Sequence, residues 1–205
     1  MPLTVLDHAL AAHILTRLRD HATPPEAYRP LTRALTQILV TEATRNLPVR
    51  PISVRTPLEE TEGVALDTQI VAVPVLRAGL GMLDAVLELL PGATVGYVGM
   101  ARDEATAIAT AYYCKLPPME ARTAILLDPM LATGGSAAWA VNQLYEAGAA
   151  SVIQLCVVAA PEGVARLEES FPRLQIVTAA LDRELNDHKY ILPGLGDFGD
   201  RLYGT

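Results

Sequence analysis

The sequence predicts an α/β fold: a central, mostly parallel sheet flanked by helices and preceded by an N-terminal helical segment. Three observations carry this. From Gln69 onward, short near-continuous apolar runs alternate with amphipathic stretches of helical length. Such runs suit strands buried on both faces, joined through helical crossovers. A chain of 205 residues, 51% hydrophobic and 19% charged, has globular composition and the size of one domain, residues 1–205. Proline and glycine stand where elements should start or stop, at Pro24-Pro25, Pro91-Gly92, Gly148 and Pro161.

The N-terminal helices occupy residues 1–47. The first is expected from Asp7 to Arg19, with Leu10, Ile14 and Leu18 at helical spacing. The second follows Pro24-Pro25, carries Leu31, Leu35, Ile38 and Leu39, and ends before Pro48. Residues 51–57 read as a short extended piece. Strands are expected at 69–73, 94–100, 123–127, 151–158 and 174–180. Helices are expected at 79–90, 136–147 and 161–170. Residues 100–118 fit no clean element beyond the end of the second strand, and an irregular excursion of that length reads as a flexible arm or lid. The tail, residues 181–205, is irregular and holds Gly194, Gly196, Gly199 and Gly204.

The net charge of −7 counts against general nucleic-acid binding, which needs a basic footprint. The two cysteines, Cys114 and Cys156, make no disulfide framework, and the reading is a reduced, cytoplasmic protein. No run reaches the ~18 apolar residues of a membrane span. The start carries Asp7 and two histidines in its apolar stretch, unlike a signal peptide. His8 and His13 read as helix-face or packing residues, since the histidines show no metal-ligand spacing.

Parallel sheets bind ligands in the loops at the carboxyl ends of their strands. The most informative such loop is AILLDPMLATGGSAAWAV. An apolar strand ends at Leu127, Asp128 follows, and Thr133-Gly134-Gly135-Ser136 opens an amphipathic helix. Glycines let backbone N–H groups converge on an anion, and the helix N-terminus adds partial positive charge. No lysine follows the glycines, so this is not a Walker loop. Asp128 stands where a carboxylate can accept hydrogen bonds from sugar hydroxyls, so a ribose 5′-phosphate satisfies both parts. The competing explanation is a plain helix cap at Ser136. It leaves the rest of the pattern unexplained.

With these residues DPMLATGGS resembles the phosphoribosyl-pyrophosphate motif of the uracil phosphoribosyltransferases, in which Pro129 follows a single acid. The resemblance spans nearly the whole chain: VLDHALAAHILTRLRDHAT at the N-terminus, Val40–Arg45 with Thr56-Pro57, VLRAGLGM, YYCKLP, VVAAPEGV and YILPGLGDFGDRLYGT. It implies the type I phosphoribosyltransferase fold with a C-terminal base-binding hood. It also implies transfer of phosphoribose from phosphoribosyl pyrophosphate to uracil in pyrimidine salvage, with Mg²⁺ held mainly through the donor and not by direct protein ligands.

Residue by residue, the resemblance assigns the donor to Arg77, Arg102, Asp128, Pro129, Met130, Leu131, Ala132, Thr133, Gly134, Gly135, Ser136 and Asp197. Uracil goes to Ile191, Gly196, Asp197 and Phe198, largely through backbone groups. Arg77, Arg102, Asp128 and Asp197 are the expected catalytic set. The family commonly shows Tyr-Arg-Asp-Pro where this chain has Ala101-Arg102-Asp103-Glu104, and usually Ala where it has Phe198; the larger side chain can narrow or reshape the base pocket. Family members form homodimers or larger homo-oligomers and some respond to GTP, so both are expectations here. Two other readings stay open: a pyrimidine-sensing RNA-binding regulator, which would need a basic face, and transfer to another base. The literal GxGxxG of Gly194–Gly199 lacks a strand–turn–helix setting, and Asp197-Phe198-Gly199 lacks the other kinase signatures.

Overall fold

A computed structural model describes residues 3–102 and 109–205. In chain order it contains β1 (Leu3–Val5), α1 (Ala9–Arg19), α2 (Pro25–Ala43), β2 (Val49–Arg55), β3 (Glu60–Leu66), β4 (Gln69–Leu76) and α3 (Leu80–Leu89). Then follow β5 (Thr94–Val95), β6 (Tyr97–Arg102), β7 (Ala109–Lys115), β8 (Arg122–Leu127), β9 (Met130–Leu131), α4 (Gly135–Glu146), β10 (Ser151–Ala159) and α5 (Pro161–Ser170). The chain closes with β11 (Gln175–Leu181), β12 (Glu184–Leu185), β13 (Ile191–Leu192) and α6 (Phe198–Tyr203).

The main sheet runs β1-β11-β10-β8-β4-β6-β7. All of these pairings are parallel except β6–β7. The apolar runs become β4, β8 and β10, whose interiors are almost wholly buried. Helices α1, α2, α3 and α6 supply one buried layer, and α4 and α5 the other. The chain leaves β4 toward β6 on one side and β8 on the other. Strand order therefore reverses between β4 and β8, and a crevice opens beyond their carboxyl ends.

Four features depart from the reading of the sequence, the tail among them: expected to be irregular, it forms the antiparallel β12–β13 pair and helix α6, both too short to show a period. The short extended piece is the first strand of a hairpin, β2–β3, paired only with itself. Its partner ETEGVAL is nearly all exposed, so it lacks the apolar signature of a buried strand. Leu3–Val5 pairs with β11, although three residues are too short to show a period. The stretch after Met100 is largely an antiparallel pair, β6–β7, with a register shift at Gly99/Met100. That irregularity hides the alternation; of the arm expected over residues 100–118, residues 103–108 lie outside the described residues.

Candidate active site

The crevice holds a cavity of about 930 Å³. The end of β4 contributes Leu76 and Arg77, joined by a cis peptide. The end of β8 contributes Asp128, and the loop beyond it Met130, Ala132 and Ser136. The opposite wall comes from the tail, with Ile191 and Gly196 to Asp200. Of the remaining expected loop residues, Pro129 and Leu131 are buried. The carbonyl of Pro129 accepts from Val157 N at 2.9 Å, so these two fix the loop to β10.

The phosphate-loop geometry begins at Asp128. Its backbone N–H donates to Leu155 O at 3.2 Å, and its Oδ1 accepts from Met130 N at 3.5 Å. Burial raises its carboxyl to about 6, and the Met130 N–H opposes this only in part. Thr133 Oγ1 accepts from Gly135 N at 3.4 Å. The cap of α4 is Gly134, with φ 73° and no side-chain cap bond. Ser136 therefore lies inside the first turn, and its hydroxyl is not spent on capping.

Gly134 tolerates its positive φ because it lacks a side chain. Space is tight as well: a Cβ there would stand 3.0 Å from Gly163 O. Conversely, a Cβ on Gly163 would stand 2.3 Å from Ala132 O. The N-terminus of α5 thus packs directly on the loop, a role for Gly163 that the VVAAPEGV stretch did not reveal on its own.

Across the cavity, Arg77 Nη2 lies 3.6 Å from Asp200 Oδ1, with both side chains about half exposed. Tyr203 Oη donates to Arg77 O at 3.3 Å. Asp197 caps α6, accepting from Asp200 N at 2.9 Å. Phe198 borders the cavity, but at 2% exposure its ring is committed to the core. It meets Tyr28 edge-on at 5.2 Å, so its bulk joins α6 to α2. Arg102 ends β6, and its side chain lies outside what the structure describes.

The cavity also has a wall that sequence reasoning missed, residues 187–190. Asn186 Oδ1 accepts from His188 N at 3.0 Å and Tyr190 N at 2.9 Å, and Lys189 takes φ 63°. The available signal was Asn in a turn, where its side chain can replace backbone partners. Among the described residues no group of three His, Cys, Asp or Glu could hold a metal ion. His8 caps α1, accepting from Ala11 N at 3.4 Å. Among the described residues no helix is long and apolar enough to cross a membrane.

A family model described as uracil phosphoribosyltransferase matches residues 5–205. The chain is 49% identical over 205 residues to the uracil phosphoribosyltransferase of Fervidobacterium nodosum, covering 99% of each. It is 48% identical over 205 residues to that of Bacillus cereus strain B4264, covering 99% of this chain and 98% of that one. Among solved structures, the AQ2163 protein from Aquifex aeolicus superposes with TM-score 0.95 at 38% identity, over 99% of this chain and 98% of that one. A 9% identical hypoxanthine-guanine phosphoribosyltransferase from Bacillus anthracis matches at TM-score 0.51, over 78% and 79% of the two chains. That likeness shows a shared fold alone. A type I phosphoribosyltransferase sheet, a crevice where its strand order reverses, and a match over nearly the full length lead to one statement: this chain belongs to the uracil phosphoribosyltransferase family.

Proposed function

We propose that this protein transfers the phosphoribosyl group of phosphoribosyl pyrophosphate to N1 of uracil, giving UMP and diphosphate. One observation carries the reading: a single cavity is bordered by Arg77 after β4, Asp128 and its loop after β8, and the tail at Ile191 and Gly196 to Phe198. In this reading the N–H groups of the 133–136 loop and the Ser136 hydroxyl anchor the 5′-phosphate, and that remote binding orients the reacting carbon. Asp128 accepts from ribose hydroxyls. Arg77 exchanges Asp200 for the diphosphate and stabilises charge on the leaving group, joined by Arg102 from the end of β6. Backbone groups at Ile191 and Gly196 read the base edge, while Asp197 holds the start of α6. Mg²⁺, when bound with the donor, supplies further neutralisation of the leaving diphosphate.

Homo-oligomer formation is part of the proposal. The β2–β3 hairpin leaves Val49, Val54, Leu58, Val64 and Leu66 exposed, with Leu58 at 96%. An apolar surface of this kind marks an interface. Sedimentation of the purified protein tests it. A reduced, cytoplasmic setting fits the two free cysteines, one of them exposed.

The decisive assay measures UMP formed from uracil, donor and Mg²⁺, with a panel of other bases and with GTP present or absent. Conversion of uracil alone supports the proposal, and a rate rise with GTP supports an effector role. Conversion of another base in preference to uracil reassigns the substrate. Donor binding without any turnover removes the catalytic claim.

A further inference from the structure

The end of α1 is tied to the C-terminal tail behind the base segment. Arg19, the last residue of α1, grips Asp182 with two nitrogens, Nη1–Oδ2 at 2.9 Å and Nη2–Oδ1 at 2.5 Å. Its Nη1 also donates to Gly194 O at 2.8 Å. Asp182 completes the ring, its Oδ2 accepting from Gly194 N at 2.9 Å. Both polar groups of residue 194 are therefore held by one ion pair, buried at Asp182 and partly buried at Arg19. The next carbonyl, Leu195 O, accepts from Arg201 Nη1 at 3.0 Å. The same guanidinium donates to Leu18 O and, at 2.5 Å, to Asp20 O. Its Cζ lies 4.5 Å from the centre of the Tyr28 ring.

Arg19, Asp182, Gly194 and Leu195 are absent from the cavity wall, whereas Gly196 and Asp197 form part of it. The side chain of Asp182 is 4% exposed and that of Arg19 25%, so water competes weakly for these bonds. A buried ion pair adds little net stability once desolvation is counted. What this one supplies is direction, because a planar fork and a carboxylate fix the peptide between them.

We infer that Arg19, Asp182 and Arg201 are positioning residues for the base: they orient the peptides at 194 and 195 and so aim the backbone of Gly196 at the edge of the pyrimidine. The inference rests on the reading of 191–198 as the base segment. It makes the N-terminal helix part of the acceptor site.

The test is steady-state kinetics of Arg19→Met, Arg19→Lys and Gly196→Ala beside the parent enzyme. Each substrate is varied separately, and the melting temperature is recorded. Arg19→Lys keeps the charge but loses the planar two-nitrogen fork that fixes the carboxylate of Asp182. Both Arg19 variants are expected to raise KM for uracil, by roughly 10- to 100-fold in Arg19→Met, and to leave KM for the donor unchanged. Arg19→Lys should fall between Arg19→Met and the parent. A lower melting temperature or kcat with both KM values unchanged marks a purely structural pair and overturns the inference. If Gly196→Ala raises KM for uracil and the Arg19 variants do not, the positioning role falls and the base segment stands. If none of the three moves it, the base-segment reading falls and takes the inference with it. Should Arg19→Met fail to fold, Arg19→Lys is read by the same pair of KM values.

Discussion

The Asp128–Ser136 loop and the Ile191–Phe198 segment face each other across one cavity, and they are shaped by opposite means. The loop takes its local turn from its own residues, with β10 and α5 packed on it. A buried strand delivers Asp128, a left-handed glycine turns the chain, and a helix begins, all within nine residues. The base segment gets its shape from elsewhere. Arg19 reaches Asp182 and Gly194 across 163 and 175 positions, and Phe198 rests on Tyr28. In the proposed reading, the donor half thus takes its local shape from a motif, and the acceptor half from the whole tertiary structure. A family can keep the first while retuning the second through residues far from any ligand.

Breaking the acceptor half through its packing should have the largest energetic effect. Phe198→Ala leaves a hole between α6 and α2 and should cost about 3–5 kcal/mol of stability, read by denaturant unfolding. Because the ring lies in the core, base preference in a competition assay should not broaden toward larger bases. Breaking the donor half chemically should act the other way. Asp128→Asn should lower kcat/KM for the donor by about 10²-fold, as expected for loss of a charged hydrogen-bonding partner. Its folding stability should rise at pH 8, by about 1–3 kcal/mol. The sign follows from burial. The folded-state value, about 6, exceeds the ordinary 3.8, so the penalty is absent below 3.8, grows between the two, and is complete above 6. At pH 3.5 the two proteins should unfold alike.

A milder probe is Gly134→Ala, which forces a side chain into a left-handed turn and against Gly163 O. It should cost about 1–2 kcal/mol and appear mainly in KM for the donor. The smallest effect is a titration. Below pH 6 Asp128 is protonated in the free enzyme, so kcat/KM for the donor should fall about tenfold per pH unit, with that limb missing in Asp128→Asn. An acid limb retained in the Asn variant would assign the titration to another group.

The same contrast explains what could be read from the sequence. Strands β4, β8 and β10 were legible because burial on both faces leaves an unbroken apolar run, and the loop because its residue types carry their own geometry. The β2–β3 hairpin was not, since an exposed ribbon needs no apolar alternation. Nor was the 187–190 wall, which depends on the turn that Asn186 stabilises. Gly163 lay within a stretch that resembles the family, yet its contact with Ala132 exists only when α5 lies across the loop. The match over residues 5–205 establishes the family.

The distance between Arg19 and its partners also has a consequence in time. During synthesis at about 5–20 residues per second, α1 emerges roughly 10–30 s before Asp182 is made. The nascent chain can complete β8, the glycine turn and α4 well before then. Throughout that interval the helices that will frame the base segment have apolar faces still awaiting α6. In the proposed reading, the segment that selects the acceptor is therefore the last part of the site to be synthesised.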